Sequence, residues 1–329
     1  MVDVARVAGV STQTVSRTLS HPDRVSADAR RKVESAIKET GYLPNLAASH
    51  LASNRSRTIA AILPAISTSI FSDTLHAAAE RLAPAGYQLF VGNTDYLEER
   101  EAELVRSFIQ RRPDAFFIVG TLINADTLRQ LSEYGAPVVE TWEWNPTPAD
   151  TLVGFSNRDA AIDMVRHLVD KGHRAIAFGG VASPGDPRAA NRLDGFTAGI
   201  RALLPEEPLR VVTLPGEPIA MDTGARILTA ALERHPEITA LMFTTDILAS
   251  GALLASQRQG IDVPGRLAIT GFGDFEIARH LNPSLTTVSV DAEAIGTQAA
   301  DLLLTRLRGD TPQATAIDVG YRIMARESA

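Results

Sequence analysis

Short apolar runs alternate with amphipathic stretches throughout residues 59–329. Eight of these runs have the length and apolar character of buried strands: Ile59–Leu63, Gln88–Val91, Ala115–Val119, Val138–Glu140, Ala175–Phe178, Leu209–Leu214, Ala240–Phe243 and Leu267–Thr270. Strands that alternate with helices are typical of βαβ units, which build parallel sheets. The pattern therefore predicts an α/β body with a mostly parallel arrangement of strands.

This body is too long for a single sheet domain of ordinary size. Roughly eight to ten strands divide naturally into two sheets, and a fresh α/β pattern begins after Phe155, in residues 159–171. We therefore predict two doubly wound parallel-sheet lobes with a cleft between them. The first is expected over about residues 59–155 and 286–315, and the second over about 156–285 and 316–329.

The first 60 residues follow the period of short helices instead. Val4, Ala5 and Ala8 share one helical face and precede Gly9, which tolerates the positive φ of a tight turn. Ser11 follows as a suitable N-cap for a second helix. The pattern predicts a glycine turn between two short helices.

A second and a third helix follow this turn. In the second helix, residues 12–19, Val15 and Leu19 are four positions apart and are expected to pack. The third begins at the N-cap Ser26 and ends at Gly41, with four residues predicted to be buried: Ala29, Val33, Ala36 and Ile37. Three short helices with a glycine turn between the first two are typical of a helix-turn-helix.

The second helix of such a unit enters the major groove of DNA. Its predicted free face carries Thr12, Gln13 and Arg17, which can contact base edges. Ser16 and Ser26 are better suited to phosphates. The alternative interpretation is a solvated helix face in a small helical domain.

The charge distribution favours the DNA-binding interpretation. The net charge is −7, yet residues 1–58 hold nine basic and five acidic side chains, which leaves −11 on residues 59–329. A basic head on an acidic body is typical of an anion-binding module joined to an unrelated domain. Chance patchiness of the surface is the alternative explanation.

Residues 46–53 are mostly small and apolar and contain Leu51. Eight residues are too few to hold a helix alone in water, because helix nucleation is costly. Two copies in a dimer, packed over the minor groove, could each insert Leu51 between base pairs and kink the duplex. A flexible linker is the alternative.

The residues that follow the predicted strands are expected to line the cleft, because ligands bind beyond the carboxyl ends of parallel strands. The candidates at these positions are Ile70, Phe71, Asn93, Trp142, Thr245, Asp246, Gly273 and Asp274. Aromatic faces beside polar groups suit a polyhydroxylated ligand. The aromatic residues could equally be core, and Asp246 could cap the next helix.

Arg188 and Arg192 lie four residues apart where a helix is predicted to begin. Two guanidinium groups on adjacent helical turns can clamp a carboxylate or a phosphate. The alternative is that they form surface ion pairs with Asp186 and Asp194.

The composition excludes several enzyme classes. There is no cysteine, so a disulfide framework, a thiol nucleophile and a zinc ribbon are ruled out. No Gly-rich phosphate loop follows the first predicted strand, and the seven histidines show no metal-binding spacing. We expect no catalytic residues, no metal and no cofactor. No apolar run reaches signal-peptide or membrane-span length, so we expect a cytoplasmic protein without a membrane partner.

Seven motifs in the first 45 residues are similar to one known family: Asp3-Val4-Ala5, Ala8-Gly9-Val10-Ser11, Gln13-Thr14-Val15-Ser16-Arg17, Val25-Ser26, Arg31-Lys32-Val33, Gly41-Tyr42 and Pro44-Asn45. They strongly resemble the headpiece and hinge of the LacI/GalR (lactose- and purine-repressor) family. The resemblance implies a homodimer or homotetramer on a near-palindromic operator in double-stranded DNA. For the hinge, it assigns DNA contacts to Asn45, Ala48 and Leu51. Family members usually carry several residues before the position of Val2, which leaves open a start codon upstream.

The body resembles the same family through a second set of motifs: Gly172-His173, Arg192-Leu193-Asp194-Gly195-Phe196, Thr245-Asp246, Gly251-Ala252, Gly271-Phe272 and Leu285-Thr286-Thr287-Val288. The resemblance implies a periplasmic-binding-protein-like core that holds an effector between its lobes, with Ile219 added to the candidates above. Gly273 departs from the family, because sugar and purine regulators often place a ligand-binding Asp there. Residues 137–142 and 271–273 look most like the gluconate-repressor subgroup, whose effector is a sugar acid.

The sequence therefore predicts an N-terminal all-α helix-turn-helix headpiece, residues 1–44, a hinge, residues 45–58, and an α/β effector-binding core, residues 59–329. The expected function is a DNA-binding repressor of carbohydrate metabolism genes, controlled by a sugar or sugar acid. A solute-binding protein or a sugar-processing enzyme with the same core fold is the alternative.

Overall fold

The computed structural model describes residues 1–42, 55–66, 68–122, 124–181 and 186–329, and it divides into two compact units, Met1–Ser56 and Arg57–Ala329. The predicted hinge contacts at Asn45, Ala48 and Leu51 lie outside the described residues.

The first unit contains the helices α1 Val2–Ala8, α2 Thr12–Ser20 and α3 Ala27–Thr40. Gly9 ends α1 in the left-handed conformation, with φ 62°. Each of the next two helices begins at a serine whose Oγ accepts a backbone N–H: Ser11 from Thr14 at 3.1 Å and Ser26 from Ala29 at 3.3 Å. These turns and caps give the predicted helix-turn-helix.

A small apolar core holds these three helices together. Its buried members are Val4, Ala5, Ala8, Val15, Val33 and Ala36. The packing prediction for Leu19 is wrong, because that side chain is 38% exposed and Thr18 is buried in its place. Thr18 lies three positions after Val15, and Leu19 lies four positions after it. Both positions flank the helix face that carries Val15, on opposite sides, so the spacing alone does not decide which of the two side chains is buried.

The second unit contains nine described α-helices and twelve described strands. The helices are α4 Ser69–Leu82, α5 Glu98–Gln110, α6 Ala125–Tyr134, α7 Asn157–Asp170, α8 Pro187–Leu203, α9 Met221–Arg234, α10 Asp246–Gln259, α11 Glu276–His280 and α12 Ala292–Leu307. The strands are β1 Thr58–Leu63, β2 Gln88–Asn93, β3 Ala115–Val119, β4 Val138–Thr141, β5 Thr151–Gly154, β6 Ile176–Gly180, β7 Arg210–Thr213, β8 Ala240–Phe243, β9 Ala268–Phe272, β10 Thr286–Ser289, β11 Ala316–Asp318 and β12 Arg322–Met324.

The strands form two six-stranded sheets, which confirms the predicted fold of two α/β lobes. The sheet of the first lobe has the order β11-β5-β4-β3-β1-β2 and is parallel throughout. The sheet of the second lobe has the order β12-β10-β9-β8-β6-β7 and is parallel except for β12. Central strands such as β3 are buried along their whole length, because helices cover both faces.

The crossings between the lobes differ from the sequence prediction. β10 pairs with β9 in the second sheet, whereas the prediction assigns residues 286–315 to the first lobe. β11 pairs with β5 in the first sheet, although the prediction assigns residues 316–329 to the second lobe. These strands are only three or four residues long. A run of residues as short as this does not indicate which of the two sheets the strand will join. No described helix is long and apolar enough to span a membrane.

Candidate functional site

A closed cavity lies where the strand ends of the first lobe meet the start of α8 in the second lobe. Its lining includes Leu63, Thr94, Tyr96, Gly120, Thr121 and Arg188. The volume is about 30 Å³, which is room for one or two water molecules. A sugar-sized ligand therefore requires the lobes to separate or the lining side chains to move.

The first turn of α8 fixes the two arginines predicted to bind an anion. Asp186 is the N-cap, and its Oδ1 accepts from the Ala189 backbone N–H at 3.4 Å and from Arg188 Nε at 3.2 Å. Pro187 occupies the first helical position, where its missing N–H costs no hydrogen bond. Because Arg188 and Arg192 are one turn apart, they project from the same face of α8.

Arg188 reaches from the second lobe onto an aromatic ring of the first. Its Cζ lies 5.0 Å from the centroid of the Phe71 ring, and the side chain is buried. Burial is the largest single influence and lowers the pKa of Arg188, but the charge interactions with Asp186, Tyr96 and Glu143 and the hydrogen bond to Asp186 together outweigh it and leave the pKa above its ordinary value. The result is a buried guanidinium that remains charged and is stacked on an aromatic face.

Arg192 is held by groups of the second lobe. Its Nη1 donates to the Thr244 carbonyl oxygen at 2.6 Å, its Nε donates to Asn157 Oδ1 at 2.8 Å, and its Cζ lies 3.8 Å from the centroid of the Phe272 ring. Burial lowers the pKa of Arg192 to about 10. The side chain is still protonated at neutral pH, and its position is fixed before any ligand arrives.

Glu143 and Tyr96 of the first lobe face the same arginines, and neither is among the candidates predicted from the sequence. Glu143 follows β4; its Oε1 accepts from the Trp144 backbone N–H at 2.9 Å and its Oε2 accepts from Asn157 Nδ2 at 3.1 Å. Burial raises the pKa of both the Glu143 carboxyl and the Tyr96 phenol. Glu143 comes directly after the candidate Trp142, and Tyr96 comes three positions after the candidate Asn93. A wider window of positions after each strand end would have included both residues.

Three polar residues predicted to line the site have other partners. Asn93 Oδ1 accepts from the Ile66 backbone N–H at 3.0 Å, and its Nδ2 donates to Asp95. Asp246 is fully buried and accepts from Thr287 Oγ1 at 2.6 Å and from the Phe275 backbone N–H at 2.8 Å. These bonds satisfy both side chains within their own lobes, and contact of Asn93 and Asp246 with the effector stays a prediction.

Asp274 is the third polar candidate that has partners within the protein. Its carboxylate pairs with Arg326 at 2.6 Å and lies 3.9 Å from Arg279. Contact of Asp274 with the effector stays a prediction. Gly273 occupies that family position with φ 125°, and a Cβ there would lie 2.4 Å from the Phe275 ring. No L side chain fits this backbone without strain.

The apolar candidates divide between the site and the core. Phe71 forms part of the site through Arg188, whereas Trp142 lies behind Phe71 with its ring 5.5 Å away in an edge contact. Trp142 is 1% exposed and its Nε1 donates to Thr74 Oγ1 at 3.1 Å, so the side chain is part of the core in this structure, and its contact with the effector stays a prediction.

Three other candidates remain half-buried in the structure. Ile70 packs on the main core and Ile219 on the core of the second lobe. Thr245 caps α10, its Oγ1 accepting from the Ile247 backbone N–H at 3.1 Å.

The ion-pair alternative for the two arginines holds only in part. Arg188 does pair with Asp186, but Asp194 pairs with Arg158 at 2.6 Å rather than with Arg192. No group of three or more His, Cys, Asp or Glu side chains within the described part of the chain could hold a metal ion.

In the first unit, α2 presents Thr12, Gln13, Ser16 and Arg17 as exposed side chains. Ser26 is also exposed and uses its oxygen as the N-cap of α3, which leaves its hydroxyl hydrogen able to donate to a phosphate. Base-reading and phosphate-binding side chains therefore share the surface of one small helical unit.

Two family models match the chain. Residues 1–45 match the bacterial regulatory proteins of the lacI family, and residues 165–329 match the periplasmic binding protein-like domain. The HTH-type transcriptional regulator GntR of Pseudomonas aeruginosa is 32% identical over 99% of this chain and 94% of its own length. The HTH-type transcriptional repressor CytR of Escherichia coli is 32% identical over 94% of this chain and 90% of its own length.

Solved structures agree with these sequence matches. A LacI-family transcriptional regulator from Silicibacter pomeroyi superimposes with a TM-score of 0.91 at 33% identity, covering 99% of this chain and 98% of its own. The lac repressor dimer bound to operator and the anti-inducer ONPF gives 0.85 at 26% identity, covering 99% of this chain and 97% of its own. The relatives are named as regulators and not as enzymes. The chain thus belongs to the lacI family of bacterial regulatory proteins and is a DNA-binding transcriptional regulator.

Proposed function

We propose that this regulator represses genes of carbohydrate metabolism and is controlled by a sugar acid, of the gluconate type, bound between its two lobes. It acts in the cytoplasm as a homodimer or homotetramer on a near-palindromic operator. The observation that carries the proposal is the pair of arginines on α8: Arg188 is buried and stacks on Phe71 of the opposite lobe, and Arg192 is half-buried and held by Thr244 of its own lobe.

The distribution of acceptors favours an acidic effector over a neutral sugar. A neutral sugar needs carboxylates or amides that accept from its hydroxyls, yet Asp246 and Asp274 are both occupied by protein partners. Position 273 carries no side chain. Two guanidinium groups instead supply donors in a geometry that suits a carboxylate.

The DNA contacts follow from the exposed face of α2 and from the family. Thr12, Gln13 and Arg17 read base edges in the major groove, while Ser16 and Ser26 bind phosphates. The proposed hinge contacts are Asn45, Ala48 and Leu51, with Leu51 inserted in the minor groove. The lac repressor dimer on its operator supports this arrangement by similarity.

Control follows from a shift between lobe arrangements, because an effector acts only through its different affinity for two states. The cavity of about 30 Å³ is smaller than a sugar acid, so binding requires the lobes to separate or the lining side chains to move. To shift the ratio of the two lobe arrangements from about 1:99 to 99:1, the effector must bind one of them more favourably than the other by roughly 5.5 kcal/mol.

The decisive experiment is a thermal-shift screen of the full-length protein against aldonic and uronic acids, with the corresponding alditols as neutral controls. We expect stabilisation by an acid and none by its alditol. The active acid is then added to a complex with a selected palindromic operator, and its effect on operator affinity is measured by fluorescence anisotropy. Stabilisation by alditols alone, or an acid that leaves operator affinity unchanged, contradicts the proposal.

The DNA-reading assignment has its own test. Arg17→Ala should lower discrimination at one base pair of the operator by about 1–3 kcal/mol. Equal weakening on every sequence would show that Arg17 contacts only phosphate.

A further inference from the structure

Glu143 belongs to the first lobe but lies among side chains of the second. It follows β4, yet its carboxylate accepts from Asn157 Nδ2 at 3.1 Å, at the start of α7, and also forms a hydrogen bond with Asn191 of α8. The side chain is 4% exposed. A carboxylate of one lobe is therefore buried against the anion-binding helix of the other.

The charges that face Glu143 come from several elements. α8 contributes Arg188 and Arg192 with the N-cap Asp186, and the segment after β2 contributes the Tyr96 phenol. With both carboxylates ionised, the two positive charges are already balanced. An effector carboxylate would add a third negative charge to a buried site, and an uncompensated buried charge is costly.

The two carboxylates differ in the hydrogen-bond donors that they face. Asp186 accepts from a guanidinium, Arg188 Nε at 3.2 Å, and from the Ala189 backbone N–H. Among the described residues, the donors to Glu143 are neutral: the Trp144 backbone N–H and the amides of Asn157 and Asn191. Hydrogen bonds from charged donors are about twice as strong as those from neutral donors, so Glu143 loses less when it is protonated.

We propose that the effector carboxylate enters beside Arg188 and Arg192 together with one proton, and that this proton is taken from solvent onto a carboxylate oxygen of Glu143. The O–H bond formed on Glu143 replaces the bond to the proton that breaks in hydronium or in the protonated buffer, and no other covalent bond changes. The protonated Glu143 can then donate a hydrogen bond to the incoming acid. This inference rests on the proposed function, because it assumes an acidic effector.

Two consequences follow from proton uptake. First, the association constant for the acid falls as pH rises, by up to about tenfold per pH unit where one full proton is taken up. Second, a neutral amide of the same sugar acid binds without the proton. Burial already holds the pKa of Glu143 above its ordinary value, which reduces the free energy needed to protonate it.

The test is isothermal titration calorimetry of the full-length protein with D-gluconate, in phosphate and in Tris, at several values between about pH 6 and 9, a range above the ordinary carboxyl pKa. These buffers have different ionisation enthalpies, so the difference between the measured enthalpies gives the number of protons taken up. We expect a value that approaches one per site. D-gluconamide, the neutral analogue, should give a value near zero.

Glu143→Gln should abolish the uptake and the pH dependence, and it should bind D-gluconate about tenfold more tightly at the upper end of the pH range. Glu140→Gln is the matched control. Glu140 is also buried on β4, but its oxygens accept from the Leu122 and Ala149 backbone N–H groups, both at 2.7 Å. This variant should keep the proton uptake of the parent protein.

The outcomes separate the two proposals. If neither D-gluconate nor any other acid of the screen binds, the proposed function fails and this inference fails with it. If D-gluconate binds without proton uptake, or if the uptake persists in Glu143→Gln, only this inference is overturned. Should that variant not fold, equal uptake with D-gluconate and D-gluconamide overturns it instead.

Discussion

Two clusters of arginine and carboxylate lie in the second lobe, and they differ in completeness. At the end of β9, Asp274 pairs with Arg326 at 2.6 Å, and the neighbouring Asp246 accepts from two donors of the same lobe. At the start of α8, Arg188 and Arg192 have one carboxylate of their own lobe, Asp186, and depend on Glu143 of the other lobe for the second.

Because of this difference, we expect one cluster to contribute to the stability of the fold and the other to contribute to effector binding. A cluster whose charges are matched within one lobe contributes to folding whatever the other lobe does. A cluster completed only across the cleft responds to lobe separation and to any anion that enters. The β9 cluster should therefore govern unfolding, and the α8 cluster should govern effector binding.

The largest effect is expected for Arg326→Met. Removing the guanidinium leaves Asp274 buried without its nearest counterion, and we expect a loss of about 3 kcal/mol in the free energy of unfolding. Urea denaturation measures it, and effector affinity should change little. A loss below about 1 kcal/mol would contradict a structural role for this pair.

The pH dependence of stability should reveal Asp246. Burial raises its pKa to about 6 from the ordinary value of 3.8, so the folded state holds the proton more tightly than the unfolded state. Stability therefore falls as pH rises from about 4 to 6, by an amount on the order of 2–3 kcal/mol. Urea titrations across this range should show a shallower decline in Asp246→Asn, and parallel curves for both proteins would contradict the assignment.

Arg188→Met should have the opposite profile to Arg326→Met. We expect about 30-fold weaker binding of the active sugar acid, since a hydrogen bond to a charged group contributes about 2 kcal/mol. The unfolding free energy should change less, because Asp186 still faces Arg192 and still caps α8. Calorimetry and urea denaturation measure the two quantities, and Arg188→Lys is the conservative control. Unchanged affinity would remove Arg188 from the site.

The smallest effect is expected for Asp186→Asn. The amide oxygen can still cap α8, while one negative charge beside Arg188 is lost. Binding of the sugar acid should become about fivefold tighter, or ~1 kcal/mol. Weaker binding in the calorimeter would show that Asp186 orients Arg188 more than it competes with the ligand.

Features that depend on neighbouring residues were predictable. The strands β1, β3 and β8 match their predicted runs to within one residue, because buried parallel strands are continuously apolar. The caps Ser11 and Ser26 and the turn at Gly9 follow from local backbone chemistry. The spacing of Arg188 and Arg192 already implied a shared helix face.

Features that depend on distant residues could not be predicted from the sequence. A position after a strand indicates the edge of the sheet but not the direction of the side chain. Asp274 turns to Arg326, which is 52 residues away, and Trp142 turns to Thr74, which is 68 residues away. Glu143 entered the site only because the second lobe supplies its amide partners.

The sequence by itself determined the helix-turn-helix, the two parallel sheets and the shared helix face of the two arginines on α8, because short-range periodicity, capping and spacing act within one or two turns. Only the tertiary structure decided which carboxylates remain within reach of those arginines. Hydrogen bonds between distant segments satisfied some carboxylates inside their own lobe and left Glu143 to complete the charge balance across the cleft.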